Sequence, residues 1–409
     1  MTICESLSIE SITSVFQPVV SMRRGKVVFT EGLGRGISST GTLVSPLAML
    51  ESSRELGCLS ELNFSFLEAA LQGWRDRNEE GLLSINMDAS CICDDSLQSL
   101  SELVGRIGLE PSSIILEICE NLNQEADCLL RFVQGAKNAG FLIAIDDLGK
   151  EHSNLDRIIS FEPDIIKLDR ELIQNLHNDS KKRALVKAMT RFGNECGAQV
   201  VAEGVECWEE AFALLELGVD LFQGFYFSKP THAPLTPSAW GPKTHVLVSA
   251  FLSHQMNSIR LDQALRKMMF ELSNRALRFL VNRDPDELDR ILSRYIQKLT
   301  YLECVYIVDA WGQQVSATHF SPLIDASKLT SPLFSPADSG DNHSLKDYFT
   351  NLPAKGSYLS EPYLSQATGN YCRTFTRWLV HENSACEYIL CVDLPVNQIH
   401  NISTLANPK

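Results

Sequence analysis

The chain has 409 residues, and 36 basic against 51 acidic side chains give it a formal charge of −15. That length predicts two or three domains, each large enough to bury a core. A hydrophobic share of 44% with 21% charged residues excludes a fibrous or disordered chain, and the acidic balance argues against a duplex nucleic acid partner.

A small anion stays admissible where a metal ion supplies the positive charge. The opening residues MTICESLSIESIT lack the cationic and apolar regions of a signal peptide. No apolar run approaches the roughly 20 residues that cross a bilayer, so no membrane insertion is expected. Twelve cysteines lie scattered without a CxxC pair, which reads as reduced thiols in a cytoplasmic protein.

Eight β-rich runs follow in chain order: VFQPVV at 15–20, KVVFTEGL at 26–33, LLSINM at 82–87, IILEIC at 114–119, FLIAIDD at 141–147, DIIKLD at 164–169, QVVAEGVE at 199–206 and DLFQGFYF at 220–227. Amphipathic stretches such as LLRFVQGAKNAG separate them from the second run onward, as in parallel βα units. Only SMRRG joins the first two runs, too short for a crossover, so that pair should be antiparallel. The expected fold is a (β/α)8 TIM-like barrel with an antiparallel first strand pair, over residues 1–235.

Four prolines punctuate SKPTHAPLTPSAWGPKTH at 228–245, which marks the main break. Residues 259–280 carry apolar positions at helical spacing. A second helix should start at Asp284, an N-cap followed by Pro285 and Glu287. The pair, within 240–300, reads either as domain core or as a connector carrying conformation between domains. From 301 to 409 the texture is that of a small α+β domain with an antiparallel sheet.

In such a barrel the active site lies at the C-terminal ends of the strands. Glu31, Asn86, Glu117, Asp146 with Asp147, Lys167, Glu203 and Gln223 fall at those ends. Several buried carboxylates together imply bound cations, and ligation by oxygen without His or Cys suits Mg2+ or Mn2+ rather than zinc. The adjacent aspartates can bridge two ions, the arrangement that clamps the attacking and leaving oxygens of a phosphoester displacement.

Glu31-Gly32-Leu33, SINM around Asn86, LEICE at 116–120, IAIDDLG at 143–149, DIIKLD, VAEGVE at 201–206 and QGFYFSKP at 223–230 resemble, in order and spacing, the EAL family of cyclic di-GMP phosphodiesterases over about residues 10–230. The resemblance implies a first metal on Glu31, Asn86, Glu117 and Asp146 and a second on Asp146, Asp147 and Glu203. Catalysis would then fall to Glu203 as general base, Lys167 orienting the attacking water and Glu31. Gln17, Leu33, Arg35 and Gln223 would hold the dinucleotide, Glu120 and Glu206 would support the site, and the product would be linear pGpG.

Two departures stand out. The EAL triplet is here EGL, and after the aspartate pair Leu148, Glu151 and His152 replace the family's Phe, Gly and Tyr. Degenerate versions of that loop accompany weak or absent hydrolysis in the family. The resemblance therefore implies either a phosphodiesterase of reduced activity or a cyclic di-GMP receptor that signals through protein contacts. VYIVDAWGQ, LKDYF and YLSEPYLSQATGNYCRTFTR resemble a PAS/Cache-like signalling domain. That implies a homodimer and an unidentified small ligand or protein partner near Tyr348, Tyr363 and Arg373.

Overall fold

The computed structural model describes residues 9–78, 81–118, 126–149, 155–234, 240–280, 283–322, 324–325, 334–354, 356–379 and 388–396. The chain divides into two compact units, Met1–Ser253 and His254–Lys409.

In the first unit, β1 (Ile9–Ser21) and β2 (Lys26–Ser38) form an antiparallel pair around a turn in which Gly25 takes a φ of 62°. A short strand β3 (Leu43–Val44) and helices α1 (Pro46–Leu56) and α2 (Leu59–Arg77) lead to β4 (Leu82–Met87). The alternation then runs α3 (Ser96–Ile107), β5 (Ile114–Ile118), α4 (Ala126–Asn138), β6 (Leu142–Leu148), α5 (Leu155–Phe161) and β7 (Ile165–Leu168). It continues through α6 (Arg170–Ile173), α7 (Ser180–Glu195), β8 (Gln199–Ala202) and α8 (Trp208–Glu216) to β9 (Leu221–Phe222). β2, β4, β5, β6, β7, β8 and β9 pair in parallel, and β1 closes the ring antiparallel to both β9 and β2. The result is the expected eight-stranded barrel.

Period 2 along each strand sorts the side chains into two cores. Val19, Phe29, Ile115, Ala144, Ile165, Val201 and Leu221 meet inside the barrel. Residues of opposite parity, such as Leu116, Ile143, Ile145, Ile166 and Val200, pack outward with the helices. Full burial contributes roughly 1.5–3 kcal/mol for each large apolar side chain. The last two strands are shorter than their runs because the chain folds over itself beyond Ala202 and Phe222. Val205 donates to the Gln223 carbonyl at 3.0 Å, and Tyr226 donates to the Val205 carbonyl at 2.9 Å. Gly224 permits this approach, since a Cβ there would lie 2.1 Å from the Val205 carbonyl oxygen.

The 40-residue helix α9 (Gly241–Leu280) contributes Leu247 to the first core. In the second unit, its residues Leu265, Met269, Ala276 and Leu280 pack with Leu288, Leu292 and Ile296 of α10 (Pro285–Ile296). Asp284 caps α10 by accepting the Glu287 N–H at 2.8 Å, as its sequence implies. Both helices lie against an antiparallel sheet of order β11-β10-β15-β14-β12. Its strands are β10 (Cys304–Asp309), β11 (His319–Phe320), β12 (Ser357–Leu359), β14 (Tyr371–Leu379) and β15 (Tyr388–Pro395), with β13 (Tyr363–Leu364) paired to β14. A short helix α11 (Asp347–Thr350) precedes β12. Val305, Ile307, Leu390 and Val392 face the helices, while Cys304, Tyr306, Val308, Ile389 and Cys391 form a second core on the other side. No helix among the described residues is long and apolar enough to cross a membrane.

Candidate active site

One step of two residues turns the inner apolar layer into a ring of polar groups. From Phe29, Ile115, Ala144, Ile165, Val201 and Leu221 the step leads to Glu31, Glu117, Asp146, Lys167, Glu203 and Gln223. On β1, which runs the other way, the step from Val19 goes backward to Gln17. Because period 2 returns to the same face, all of these groups point into the barrel at one end. Backbone bonds carry the ladder past the short strands: Glu203 N–H donates to the Leu168 carbonyl at 3.1 Å, and Gln223 N–H to the Ala202 carbonyl at 2.9 Å.

Lys167 sits at the centre, 1% exposed. Its Nζ lies 2.7 Å from Glu117 Oε2, 3.2 Å from Glu31 Oε2, 3.7 Å from Asp146 Oδ1 and 2.5 Å from Glu203 Oε1. Two amides hold Glu31: Asn86 donates to its Oε1 at 2.8 Å, and Gln223 to its Oε2 at 2.7 Å. Gln17 donates to the Ser228 carbonyl at 2.9 Å.

Four carboxylates against one ammonium leave an excess of negative charge in a site shielded from water. Burial pushes Glu117 well above the usual carboxylate range, and the neighbouring Glu31 adds to it. Burial likewise raises Glu203, against the pull of Lys167. Burial would raise Glu31 too, but Lys167 and the two amides outweigh it and hold that carboxyl below its ordinary value. Lys167 is driven the other way: burial opposes its charge, and the surrounding carboxylates, Asp146 first, raise it well above an ordinary lysine. Glu117 Oε1 is buried with no hydrogen-bond partner. An orphaned anionic oxygen beside uncompensated carboxylates fits a divalent cation.

The Asp146–Asp147 pair sits on a bulge. Ile145 pairs with Ile166 and Leu148 with Leu168, so two aspartates stand opposite Lys167 alone. Without the extra residue Leu148 would face inward; instead it joins Ile143 and Ile145 in the outer core. Asp147 absorbs the irregularity with a φ of 58°, an uncommon conformation for a non-glycine residue. Gly149 follows at φ 103° with Leu172 against it, leaving no room for a Cβ. Glu120 and residues 150–154, including Glu151 and His152, lie outside the described residues.

A cavity of about 240 Å3 adjoins the cluster, lined by Gln17, Glu31, Leu33, Glu203, Glu206 and Gln223 together with Arg170, Gly204, Gly224 and Phe225. Glu206 is exposed and pairs with Arg170 at 2.9 Å. Arg35, two residues beyond Leu33 on β2, donates to the Gly34 carbonyl at 2.7 Å and is not among the lining residues. The sequence reading overlooked Arg170 and Phe225. The signals were a basic residue directly after the DIIKLD strand and, in QGFYFSKP, an aromatic ring that proves 53% exposed.

The second unit holds a smaller cavity, about 70 Å3, whose lining includes Tyr306, His343, Lys346, Tyr348, Tyr363 and Asp393. Gln314 Nε2 donates to the Ser316 and Ala337 carbonyls and to Thr318 Oγ1, leaving its Oε1 to accept from His343 Nε2 at 2.8 Å. His343 Nδ1 must then accept the Tyr348 hydroxyl at 2.6 Å. Burial lowers this imidazole to about 4, so it is neutral. Burial raises Asp393 to about 7, while Thr374 donates to its Oδ1 at 2.7 Å and Cys304 to its Oδ2 at 3.3 Å. Arg373 is not among the lining residues; it pairs with Asp262 at 2.7 Å and donates to the Ser360 carbonyl.

A closed parallel barrel with one antiparallel strand and a carboxylate–amide–lysine ring at its strand ends defines a metal-site barrel of the EAL class. The chain belongs to the EAL domain family, whose model matches residues 2–230, more than half of its length. It is 29% identical over 234 residues, 56% of its length, to the cyclic di-GMP phosphodiesterase PdeR of Escherichia coli, and spans 35% of that protein. It is 22% identical to the Bacillus subtilis EAL-domain protein YkuI, over 96% of both chains. The crystal structure of YkuI with cyclic di-GMP and calcium superposes with a TM-score of 0.81 over 97% of this chain and 99% of that one, at 22% identity, which shows a shared fold. The Klebsiella pneumoniae protein BlrP1, in complex with manganese and cyclic di-GMP, matches at 29% identity and a TM-score of 0.50, covering 54% of this chain and 56% of that one.

Proposed function

We propose that the barrel hydrolyses cyclic di-GMP to linear pGpG at a site holding two divalent cations, Mg2+ or Mn2+. The observation that carries this reading is the cluster of four carboxylates on Lys167, three of them buried and Glu203 half-buried, with Glu117 Oε1 lacking a hydrogen-bond partner. Glu31, Asn86, Glu117 and Asp146 would hold one cation and Asp146, Asp147 and Glu203 the other. When bound, such cations polarise the phosphate and acidify a water.

The chain's own groups do the rest. Glu203, at the mouth of the site beside Lys167 and lining the cavity, is placed to take the proton of the attacking water. Lys167 keeps its charge beside the developing negative charge of the transition state. Gln17, Gln223 and Leu33 bound the dinucleotide, Arg170 and Arg35 offer guanidinium groups to its phosphates, and the exposed Phe225 ring offers a face for a guanine base. The family match, and the complexes of BlrP1 and YkuI with cyclic di-GMP, support this substrate. The second unit, with its own cavity, we assign a regulatory role.

The test is the full chain incubated with cyclic di-GMP and Mg2+ or Mn2+, with pGpG followed by chromatography beside a binding titration. Product that disappears in Glu31→Ala supports the enzyme. Tight binding without product makes the protein a receptor, the reading to which the replaced residues Leu148, Glu151 and His152 point. Absence of both defeats the proposal.

A further inference from the structure

Three groups of different chemistry converge where α8 begins. A ring nitrogen of His177, the Cys207 sulfur and a Glu210 carboxylate oxygen lie within 4.8 Å of one another. Local structure brings them together. Cys207 is the N-cap of α8 and Glu210 its third residue, in a reciprocal capping box. Glu210 also accepts the Asn175 N–H at 3.0 Å, which holds a turn with Asn175 at φ 58° and so places His177 two residues on. Glu210 is 4% exposed. Its Oε2 accepts the N–H of Glu206 and of Cys207, and its Oε1, bonded to Asn175 alone, keeps a lone pair. His177 Nδ1 is buried with no hydrogen-bond partner. Three of the four ligands a tetrahedral ion requires thus stand together, one of them with no other use.

We propose that His177, Cys207 and Glu210 form a second cation site, separate from the barrel carboxylates, that takes Zn2+ with a water in the fourth position. The ligand types decide the ion: an imidazole nitrogen, a thiolate and one carboxylate suit zinc, whereas the oxygen-rich barrel cluster suits Mg2+ or Mn2+. Bond lengths of about 2.0–2.3 Å to zinc place ligand atoms roughly 3.3–3.8 Å apart, so side-chain rotations of the order of an ångström close the set. On binding, the Cys207 thiol gives its proton to solvent and the sulfur forms the S–Zn bond. His177 keeps its proton on Nε2 and donates the Nδ1 lone pair. The ion would tie the turn Leu176–Asn178 to the start of α8, and Cys207 follows Glu203 by only four residues. Occupancy would therefore fix the segment that leads out of the barrel site.

The experiment is a Co2+ titration of the full chain, kept reduced with a phosphine and saturated with Mg2+. Cobalt reports what zinc cannot: thiolate-to-metal absorption in the near ultraviolet and the visible bands of a four-coordinate ion. One equivalent should develop both features, and Zn2+ should bleach them. Cys207→Ser should abolish the near-ultraviolet band, and His177→Gln, which removes no hydrogen bond at Nδ1, should weaken affinity about tenfold or more. No band, or a band unchanged in both variants because another thiol binds the ion, overturns the proposal. Neither nucleotide binding nor turnover enters the readout, so it is independent of the reading of the barrel.

Discussion

The two units bury their titratable groups in opposite ways. In the barrel, four carboxylates crowd one lysine and an oxygen of Glu117 is left without a partner. In the second unit, His343 is neutral between Tyr348 and Gln314, and Asp393, raised by burial to about 7, accepts from Thr374 and Cys304. The first arrangement is incomplete without outside positive charge; the second is closed upon itself. Buried polar groups that satisfy one another rigidify a core, whereas an uncompensated charge cluster marks a place where something binds. The difference is the reason the proposed chemistry is assigned to the barrel site although both regions are buried and polar.

The strongest way to break this contrast is Glu31→Ala. Glu31 is the carboxylate gripped by Asn86, Gln223 and Lys167 together. Its loss should lower turnover of cyclic di-GMP by at least about 10²–10³-fold, the scale for removing one preorganised electrostatic group. Initial rates of pGpG formation check this. A loss below tenfold would mean that the cluster is structural, like its counterpart in the second unit.

Lys167→Met should have the next largest effect, and on stability. Removing the ammonium that meets all four carboxylates leaves buried charge unpaired, at a cost of about 3–5 kcal/mol in the absence of divalent ions. Mg2+ at a hundredfold excess over its Kd should return about 2.7 kcal/mol. Urea midpoints with and without Mg2+ measure both. A variant indifferent to Mg2+ would show that the excess negative charge does not recruit cations.

The second unit is tested by pH. Asp393 is raised to about 7 in the fold, so its contribution to stability is fully present below the unfolded value near 4 and is lost as pH rises through 7. His343 is lowered to about 4, so its contribution is present above about 6.5 and is lost as pH falls toward 4. Between pH 4 and 6.5 the two slopes oppose each other. Asp393→Asn should uncover the histidine alone, and stability relative to the parent should then fall on acidification by up to about 1.4 kcal/mol per pH unit. His343→Gln should uncover the reverse slope. Unfolding at pH 7, 6 and 5 distinguishes them, and parallel pH curves for both variants and the parent would show that neither group is perturbed.

How much of this the sequence reveals depends on how far apart the cooperating residues stand. The barrel strands are legible because an apolar run and its terminal polar residue are contiguous, as in DIIKLD or IILEIC, and one step of two separates Ile165 from Lys167. The bulge at Asp146–Asp147 is not legible, because a pair of aspartates reads the same whether the strand stays regular or takes in an extra residue. The network of Gln314, His343 and Tyr348 is hidden for another reason: Gln314 stands some thirty residues before His343, Tyr348 lies on the short helix α11, and no periodicity links the three. Arg373, expected near a ligand or partner, is spent instead on Asp262 of a helix more than a hundred residues earlier.

The smallest expected effect concerns the glycine that replaces alanine in the family triplet. A Cβ on Gly32 would lie 3.0 Å from the Ala70 Cβ of α2, 3.4 Å from Leu83 Cδ1 and 3.6 Å from Phe16 Cε1. Gly32→Ala would restore the family's residue, and the loss of unfolded-chain entropy alone would stabilise the fold by about 0.4–1 kcal/mol. Overpacking against a helix backbone that must shift costs about 1–3 kcal/mol. The second term exceeds the first, so the variant should lose about 1 kcal/mol while Glu31, on the same strand, keeps its partners and turnover is retained. Because the crowding comes from a single methyl on Ala70, the double variant Gly32→Ala with Ala70→Gly should lose less than the two single losses added. Additive losses in urea midpoints would place the cost elsewhere. A coupled result would mean that the triplet differs here because the neighbouring helix already carries the missing methyl, a matter of packing that leaves the chemistry of Glu31 intact.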